Sequence, residues 1–419
     1  MTSSTTKSTL VKPFKGLRPV TDKVADVIAP PYDVLNTAEA RERVKGHPLS
    51  FLHISKPEID LAEETNPYAD EVYAKGAENL QKLINDKVLV RDEKACYYVY
   101  RLVMGEHQQT GLVVAASVAD YDTNRIRKHE FTRPDKEDDR VKQIDALNAQ
   151  TGPVFLTYRN DTTVESIINK VASTTATYDL TADDGVQHTF WVVSDDDDIS
   201  KLTNTFDAMD CLYIADGHHR SASASRIAAA RNKGKDDIGN NSHDYFLSVV
   251  FSDNQMKILD YNRVIKDLNG LSKDELIEKI KVNFSIEQVD TLYKPQKSTE
   301  FSMYLDKHWY KLQANANLIP KNDPVGALDI SLLQNNLIEP LLGVSDPRRD
   351  KRIDFVGGIR GLEELEKRVN SGEMQVAFAI YPTTLSQLMD VADANEVMPP
   401  KSTWFEPKLA DGLVSHVLD

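Results

Sequence analysis

Aromatic and β-branched residues in the middle of the chain are separated by turn residues and predict an antiparallel β-hairpin. Its strands would be CYYVYRLVM and TGLVVAASVADYD, with the turn-like stretch GEHQQ between them. Five further runs have the composition of strands: GPVFLTY, HTFWVVS, CLYIAD, YFLSVVF and MKILDYN. The stretches TTVESIINKVAS and SASASRIAAARNK predict helices between them. This mixture predicts an α/β fold of the mixed α+β type.

The segments on either side of this middle region also predict helices and strands. The apolar residues of DEVYAKGAENLQKLINDK recur at helical spacing from Tyr73 to Ile84, which predicts an amphipathic helix packed on a sheet. Later, SKDELIEKIKVN, ISLLQNNLIEPLLG and RGLEELEKRVNSG predict helices, FSMYLDKHWYKLQ a hairpin and VAFAIYP a strand. We expect an N-terminal α/β segment, a core and a C-terminal α/β segment that packs on the core. Their boundaries would be 1–95, 96–270 and 271–419.

Composition and charge restrict the class of protein. Of 419 residues, 41% are hydrophobic and 27% charged, which is ordinary for globular proteins, and no apolar run is long enough to span a membrane. The first ten residues, MTSSTTKSTL, contain no apolar signal segment, so we expect a cytoplasmic location. The net charge of −15 disfavours nucleic acid as a partner. It suits an enzyme or a binding protein for small molecules. The sequence leaves the oligomeric state open.

The stretch YIADGHHRSASASRIAAA combines an acid, a glycine, two histidines and an arginine where a strand gives way to a helix. We expect Asp216 and Gly217 to form a tight turn and His218 to begin the helix. Free backbone amides at the start of a helix bind anions, phosphate above all. Arg220 is unfavourable against the helix dipole unless an anion binds there. The predicted phosphate-binding residues are Asp216, Gly217, His218, His219 and Arg220.

The two adjacent histidines have several possible roles. Either is a candidate acid or base near neutral pH, and His219 is the catalytic candidate. Adjacent histidines point in different directions and no further ligand is evident beside them, so we expect no bound metal. The structural alternative is that Asp216 caps the helix and the histidines bond to neighbouring chain segments.

A second dense segment, RIRKHEFTRPDKEDDRVKQIDALNAQTGPVFLTY, precedes this motif. Lys128, His129 and Glu130 follow a predicted strand and offer a charge, an acid or base, and a carboxylate within three residues. His129 and Glu130 are therefore further catalytic candidates. Arg140 either reaches a phosphate or pairs with a neighbouring aspartate. The alternative for these charges is a solvated helix start with intrahelical ion pairs.

Two proline-braced loops present polar side chains rigidly. IAPPYDVL presents Tyr32 and Asp33 after a double proline. The alternative is that such loops only pack against the core. We predict a substrate pocket lined by Tyr32, Asp33, Lys128 and Arg140.

The second of these loops, MPPKSTWFEPKL, presents a lysine and two hydroxyls. Lys401, Ser402 and Thr403 are candidate phosphate contacts, although the glycine-rich loop of a P-loop is absent. The alternative is again a braced loop, which packs Trp404 and Phe405 on the core.

ADGHHR followed by a helix of small residues resembles the phosphate-binding motif of the ParB-like superfamily. That superfamily includes chromosome-partitioning ParB proteins, sulfiredoxin and the free-serine kinases, and the serine kinases are most similar at the motif. The resemblance implies a ParB/sulfiredoxin-like core in which the five motif residues bind nucleotide phosphates. It also implies that an earlier glutamate takes the proton of the substrate hydroxyl. Glu130 matches it, since an Arg-containing helix and then Gly-Pro-Val opening a strand follow.

Over nearly its full length the chain resembles the bacterial and archaeal family known as domain of unknown function 1015. The resemblance is carried by PFKGLRPV, IAPPYDVL, HEFT, IADGHHR and MPPKSTWFEPKLADGLV. It supplies no activity. It implies that the N- and C-terminal motifs belong to the same unit as the central one.

Together these features predict a nucleotide-dependent phosphotransferase that acts on a small hydroxyl-bearing metabolite, with serine as the first substrate to try. ATP or ADP would be the cofactor, with Mg²⁺. Two other classes stay open. One is a non-catalytic nucleotide-binding regulatory or adaptor protein of the ParB-like class. The other is a metal-dependent hydrolase built on His218, His219 and nearby carboxylates.

Overall fold

The computed structural model describes residues 9–235 and 238–419, which form two compact units. The first unit contains the described residues up to Met256 together with Pro407–Asp419, and the second is Lys257–Glu406. These two units have their boundaries at 256/257 and 406/407. They divide the chain by compactness and do not test the three-segment division at 95/96 and 270/271, which stays a prediction.

The strands are short and are numbered along the chain. They are β1 (Val11–Lys12), β2 (Gly16–Pro19), β3 (Leu89–Arg91), β4 (Tyr97–Met104), β5 (His107–Ser117), β6 (Ile126–Arg127), β7 (Ala149–Gln150), β8 (Val154–Tyr158), β9 (Tyr178–Thr181), β10 (Gln187–Val193), β11 (Leu212–Asp216), β12 (Tyr245–Ser252), β13 (Lys257–Leu259), β14 (Tyr261–Ile265), β15 (Phe284–Val289), β16 (Glu300–Leu305), β17 (His308–Ala314), β18 (Ile353–Gly357), β19 (Val376–Ile380), β20 (Trp404–Glu406) and β21 (Ser415–Val417).

The helices are numbered in the same way. They are α1 (Val24–Val27), α2 (Thr37–Arg43), α3 (Leu52–Ser55), α4 (Asp70–Asn85), α5 (Val118–Asp122), α6 (Pro134–Leu147), α7 (Thr162–Ala172), α8 (Asp196–Ala208), α9 (His218–Asn232), α10 (Lys273–Ile280), α11 (Asp329–Leu333), α12 (Glu339–Leu342), α13 (Glu363–Asn370) and α14 (Leu385–Asp393). None of those in the described part of the chain is long and apolar enough to cross a bilayer.

The first unit is built on a nine-stranded sheet with the order β6-β11-β8-β12-β5-β4-β10-β9, in which β1 also pairs with β5. The predicted hairpin is confirmed as the antiparallel pair β4 and β5. The pairs β6·β11 and β8·β12 are parallel, so the sheet is mixed. This mixed sheet, with helices packed on it, confirms the predicted mixed α/β class.

Apolar side chains of α7, α8 and α9 pack with the sheet in one core. Val164 and Ile168 come from α7, Leu202 and Phe206 from α8, and Ala224 from α9. The small residues of α9 are buried, which lets this helix lie close to its neighbours. The sequence pattern of α9 therefore sets how closely the candidate site approaches the sheet.

A second, four-stranded sheet in the same unit has the order β3-β2-β21-β7 and brings the last residues of the chain to the first strands. Next to it, Ala29 and Asp411 form an isolated antiparallel bridge with hydrogen bonds of 3.1 and 2.9 Å. The bridge ties the loop IAPPYDVL to the C-terminal stretch LADGLV. Both segments belong to the unit that contains the DGHHR motif. The start of the C-terminal motif, residues 398–406, belongs to the second unit, so the single unit that the resemblance implied holds only in part.

The second unit contains a six-stranded antiparallel sheet with the order β15-β17-β16-β19-β14-β18. The predicted hairpin in FSMYLDKHWYKLQ is confirmed as the antiparallel pair β16 and β17. The strands β13 and β20 form a separate two-stranded sheet. Helix α13 places Leu365 in the core of this unit, beside Val264 and Ala377 of the sheet.

Candidate functional site

The candidate site forms where β11 ends and α9 begins, as the sequence predicts. Ile214 pairs with Leu156 and Asp216 with Phe155, so Ala215 is an extra residue that makes a bulge at the end of the strand. Gly217 follows with a φ of +97°, and no side chain caps the helix that starts at the next residue. The first amides of a helix have no partner within it, so this turn leaves donors for an anion.

Gly217 has a conformation and an environment that exclude other side chains. Its positive φ is rarely adopted by L-residues, and a Cβ would lie 3.3 Å from Cα of Val154. We expect Gly217→Ala to lower the free energy of unfolding by about 1–2 kcal/mol and to weaken phosphate binding. Gly152→Ala is the control, since its Cβ would meet no atom closer than 3.5 Å. Equal urea-unfolding midpoints for the two variants would contradict this expectation.

Asp216 is held in place on both sides. Its Oδ1 accepts a hydrogen bond from the Gly217 amide (2.8 Å), and its Oδ2 accepts one from Nζ of Lys408 (3.2 Å). Burial opposes ionisation, but the charges of Lys408 and Arg220 outweigh it and hold the pKa of Asp216 below its ordinary value. Asp216 is therefore an anionic anchor of the turn and does not cap α9, since the cap position belongs to Gly217.

His218 points towards the loop that follows β6. The exposed fraction of His218 is 4% and that of His129 is 2%, and their rings meet edge to face with centroids 4.5 Å apart. Nδ1 of His218 lies 3.7 Å from Oε2 of Glu130. Burial lowers the pKa of His129 to about 4, and burial with the neighbouring His129 holds that of His218 well below its ordinary value. The two rings are therefore neutral at pH 7.

His219 faces a different neighbour from His218. Its Nε2 accepts a hydrogen bond from the Arg133 amide (3.1 Å), just before α6. Burial lowers the pKa of His219 as well, against the opposing charge of Glu137. The two adjacent histidines thus connect α9 to two different parts of the segment around Glu130.

Arg220 turns away from solvent into a pocket beside the motif. Its guanidinium donates to the carbonyl of Pro153 and lies 3.7 Å from the carboxylate of Asp33. Burial alone would lower the pKa of Arg220, but the negative charges of Asp33 and Asp216 outweigh burial and raise it. The pocket is also lined by Tyr32, Arg140, Gln150, Thr151, Gly152 and Asp411.

Arg140 shares this pocket with Arg220. Its guanidinium lies over the ring of Tyr32, 4.0 Å from the centroid, and donates two hydrogen bonds to Oδ2 of Asp139, at 3.0 and 2.7 Å. Of the two predicted roles of Arg140, the structure shows the pairing with an aspartate, and contact with a phosphate stays a prediction. The structure brings Tyr32, Asp33, Arg140 and Arg220 to one place.

Comparison with known protein families identifies the chain. A model of the family described as "Protein of unknown function (DUF1015)" matches residues 11–331. The chain belongs to this family. The predicted membership is confirmed, and the matched residues include Glu130 and the whole DGHHR motif. Among curated proteins, none matches the sequence.

Several solved structures are similar to this DUF1015 protein at low identity. A mutant free serine kinase in complex with AMP is 11% identical, covers 76% of this chain and 93% of its own, and has a TM-score of 0.35. A conserved hypothetical protein from Pyrococcus furiosus is 15% identical over 72% and 95%, with a TM-score of 0.34. SbnI with a C-terminal truncation, from Staphylococcus aureus, is 12% identical over 71% and 85%, with a TM-score of 0.31. At these values the likeness carries no inference about activity.

Four other predicted site residues lie in different surroundings. Nζ of Lys128 lies over the ring of Tyr121, 3.9 Å from the centroid. Ser402 donates to the carbonyl of Pro399 (2.6 Å) within the second unit of this DUF1015 protein. Lys401, Ser402 and Thr403 all belong to that second unit, whereas the DGHHR motif belongs to the first. Their proposed contact with phosphate stays a prediction.

Two further residues contribute to the site: Lys408, a polar side chain that the proline-braced loop MPPKSTWFEPKL was expected to present, and Asp411, to which the sequence assigns no role. Lys408 binds Asp216, and Asp411 lines the pocket with an exposed fraction of 1%. Oδ1 of Asp411 has no hydrogen-bond partner among the described residues. A buried acid between two arginines marks a place for a ligand. The proline before Lys408 and the glycine after Asp411 were the available signals, and both are also typical of plain turns.

Burial raises the pKa of Asp411 to about 7, although Arg220 opposes the shift. The folded state therefore holds a proton that the unfolded state, with a pKa near 3.9, releases. Asp411 favours folding below about pH 4, and this contribution is lost as the pH rises to about 7. We expect Asp411→Asn to flatten the dependence of stability on pH between 4 and 7. At pH 8 it should stabilise the protein by roughly 2–4 kcal/mol.

Urea unfolding at a series of pH values tests the Asp411 prediction. Asp411→Asn and the wild type should agree near pH 4 and diverge above it. Asp329→Asn makes the same change in the second unit, where burial raises the pKa of Asp329 to about 6. As a matched control it should diverge from wild type less than Asp411→Asn does. Parallel curves for wild type and Asp411→Asn would contradict the expectation.

Proposed function

We propose that this DUF1015 protein is a nucleotide-dependent phosphotransferase that acts on a small hydroxyl-bearing metabolite. The observation that supports it most is the uncapped start of α9 after Gly217, with the Glu130 carboxylate 3.7 Å from Nδ1 of His218. An anion site and a candidate base thus lie side by side. Phosphoryl transfer needs little more than such positioning and charge neutralisation.

The nucleotide phosphates would bind at the first turn of α9. A Cβ at position 217 would fill the space beside Val154, so the glycine keeps the turn open to a ligand. The amides of His218, His219 and Arg220 point along the helix axis, where the dipole favours negative charge. Mg²⁺ would enter with ATP or ADP, bound chiefly by phosphate oxygens. The motif's resemblance to ParB-like phosphate sites supports the same assignment.

The substrate would bind between Glu130 and the part of the pocket that Arg140 lines. The Glu130 side chain is 53% exposed, so a hydroxyl group can reach it. Its carboxylate would accept the hydroxyl proton as the oxygen attacks the terminal phosphorus. The bond from that phosphorus to the bridging oxygen would break, and ADP would leave from ATP or AMP from ADP. In the pocket, the Arg140 guanidinium suits an anionic group of the substrate, such as a carboxylate, while Arg220 is left for the nucleotide phosphates. Serine meets both requirements and is the first substrate to test.

The test is turnover by purified full-length protein. The protein is incubated with ATP or ADP, Mg²⁺ and a panel of hydroxyl metabolites that starts with serine, and phosphorylated products are identified by mass spectrometry. Nucleotide binding is measured separately by calorimetry. Tight binding without product on any metabolite would favour a non-catalytic regulatory protein instead. Absence of nucleotide binding would reject the phosphate site itself.

A further inference from the structure

Three side chains that commonly bind metals meet between the loop after β6 and the start of α9. One ring nitrogen of His129, one of His218 and one carboxylate oxygen of Glu130 lie within 4.8 Å of one another. We call these residues the His-Glu-His cluster. Two imidazoles and one carboxylate form the protein ligand set of many zinc and iron sites. The sequence pattern does not reveal this cluster, because 89 positions separate the two histidines.

His129 has a ring nitrogen that the protein leaves without a partner. The ring is buried, it hydrogen-bonds the backbone of Ile214, and its Nδ1 has no hydrogen-bond partner among the described residues. A buried polar atom without a partner costs free energy, so a ligand that binds it is favoured. Metal-bound histidines usually donate their other N–H to a backbone carbonyl, and the contact with Ile214 supplies that support.

His218 presents Nδ1 towards the same point. This nitrogen is the one that lies 3.7 Å from Oε2 of Glu130. Nε2 of His218 accepts a long hydrogen bond (3.5 Å) from the His129 amide, and coordination through Nδ1 moves the ring proton to Nε2 and gives up this bond. At the upper limit of hydrogen-bond distance the bond is weak, so its loss costs less than the metal–nitrogen bond contributes.

We infer that the His-Glu-His cluster binds one divalent transition-metal ion of the zinc class, with at least one position left for water or a substrate oxygen. Zinc ligands lie about 2.0–2.2 Å from the ion, so the three atoms must close by about 1 Å. The Glu130 side chain is half exposed, and a change of rotamer brings its carboxylate nearer to the two ring nitrogens. Imidazole nitrogen favours zinc, cobalt or nickel over Mg²⁺, so this ion is distinct from one that enters with a nucleotide.

Metal titration of the full-length protein tests this inference without nucleotide. The protein is stripped with a chelator and titrated with Co²⁺, whose visible absorption changes when imidazole and carboxylate bind it. Zn²⁺ is then added in competition. We expect one Co²⁺ per chain and its displacement by one Zn²⁺. Since no nucleotide is present, failure here leaves the phosphotransferase proposal intact, and failure of nucleotide binding leaves this one intact.

Variants assign the ligands. Glu130→Gln, His129→Asn and His218→Asn should each lower Co²⁺ affinity by about 10- to 100-fold. The matched control is His219→Asn, which changes the same chemical group one position away but faces Arg133. Its Co²⁺ affinity should stay within about threefold of wild type. Glu130→Gln keeps the test decisive if a buried histidine variant fails to fold. Absence of stoichiometric binding, or an equal loss in Glu130→Gln and His219→Asn, would overturn the inference.

Discussion

Glu130→Gln is expected to lower turnover by about 100- to 10,000-fold, while nucleotide affinity stays within about threefold of wild type. The amide has nearly the shape of the carboxylate but cannot accept the substrate proton. The nucleotide phosphates would be bound by α9 and Arg220, which this change leaves in place. Because Glu130 is half exposed, the substitution should leave the free energy of unfolding within about 0.5 kcal/mol of wild type.

The measurement is steady-state turnover on the best substrate of the panel, with nucleotide affinity from calorimetry. Glu106→Gln, in the exposed turn between β4 and β5, makes the same chemical change away from the motif and serves as the control. Wild-type turnover in Glu130→Gln would remove Glu130 from the mechanism. A loss of nucleotide affinity as large as the loss of turnover would make it a binding residue instead.

Local features of the fold were predictable because they have local causes. The β4–β5 hairpin follows from two β-rich runs around a turn, and the β11–α9 turn from an apolar run that ends at Asp216-Gly217. Sheet order was not predictable, because it depends on distant pairings of very short strands. β6 has two residues and β21 three, too few for any periodic pattern. The return of Pro407–Asp419 to the first unit depends on such pairings.

The candidate site divides in the same way. The sequence predicts a substrate pocket of Tyr32, Asp33, Lys128 and Arg140 and assigns Arg220 to the phosphate motif. The structure places Arg220 beside Tyr32, Asp33 and Arg140, and Lys128 over the ring of Tyr121. The sequence assigns nothing to Asp411, whose place depends on the backbone bridge to Ala29. Neither unit boundary was visible, since no linker composition marks residues 256/257 or 406/407. Long-range backbone pairing, which leaves little trace in composition, completes the site.

Arg220→Ala is expected to destabilise the protein by about 3–5 kcal/mol at pH 9 and clearly less at pH 6. The guanidinium compensates Asp411 and Asp33 inside the pocket, and its removal leaves Arg140 as the remaining arginine beside Asp411 and removes the ion pair of Asp33. Asp411, with a pKa of about 7, takes up a proton at pH 6 and then needs no partner. Nucleotide affinity should fall by about 10- to 100-fold, since a charge-assisted hydrogen bond is worth about 1.5–3 kcal/mol.

Urea unfolding of Arg220→Ala, Asp411→Asn and the double variant at both pH values separates these effects. In the double variant the buried acid is gone, so the extra loss at pH 9 should disappear. A coupling free energy of about 1–3 kcal/mol between positions 220 and 411 is expected at pH 9. Arg220→Lys keeps the charge without the forked donors. Its free energy of unfolding should therefore stay nearer to that of wild type than its nucleotide affinity does. Additive single changes at pH 9 would show that Arg220 does not compensate Asp411. The raised pKa of Asp411 would then reflect burial and the nearby charge of Asp33, without opposition from Arg220.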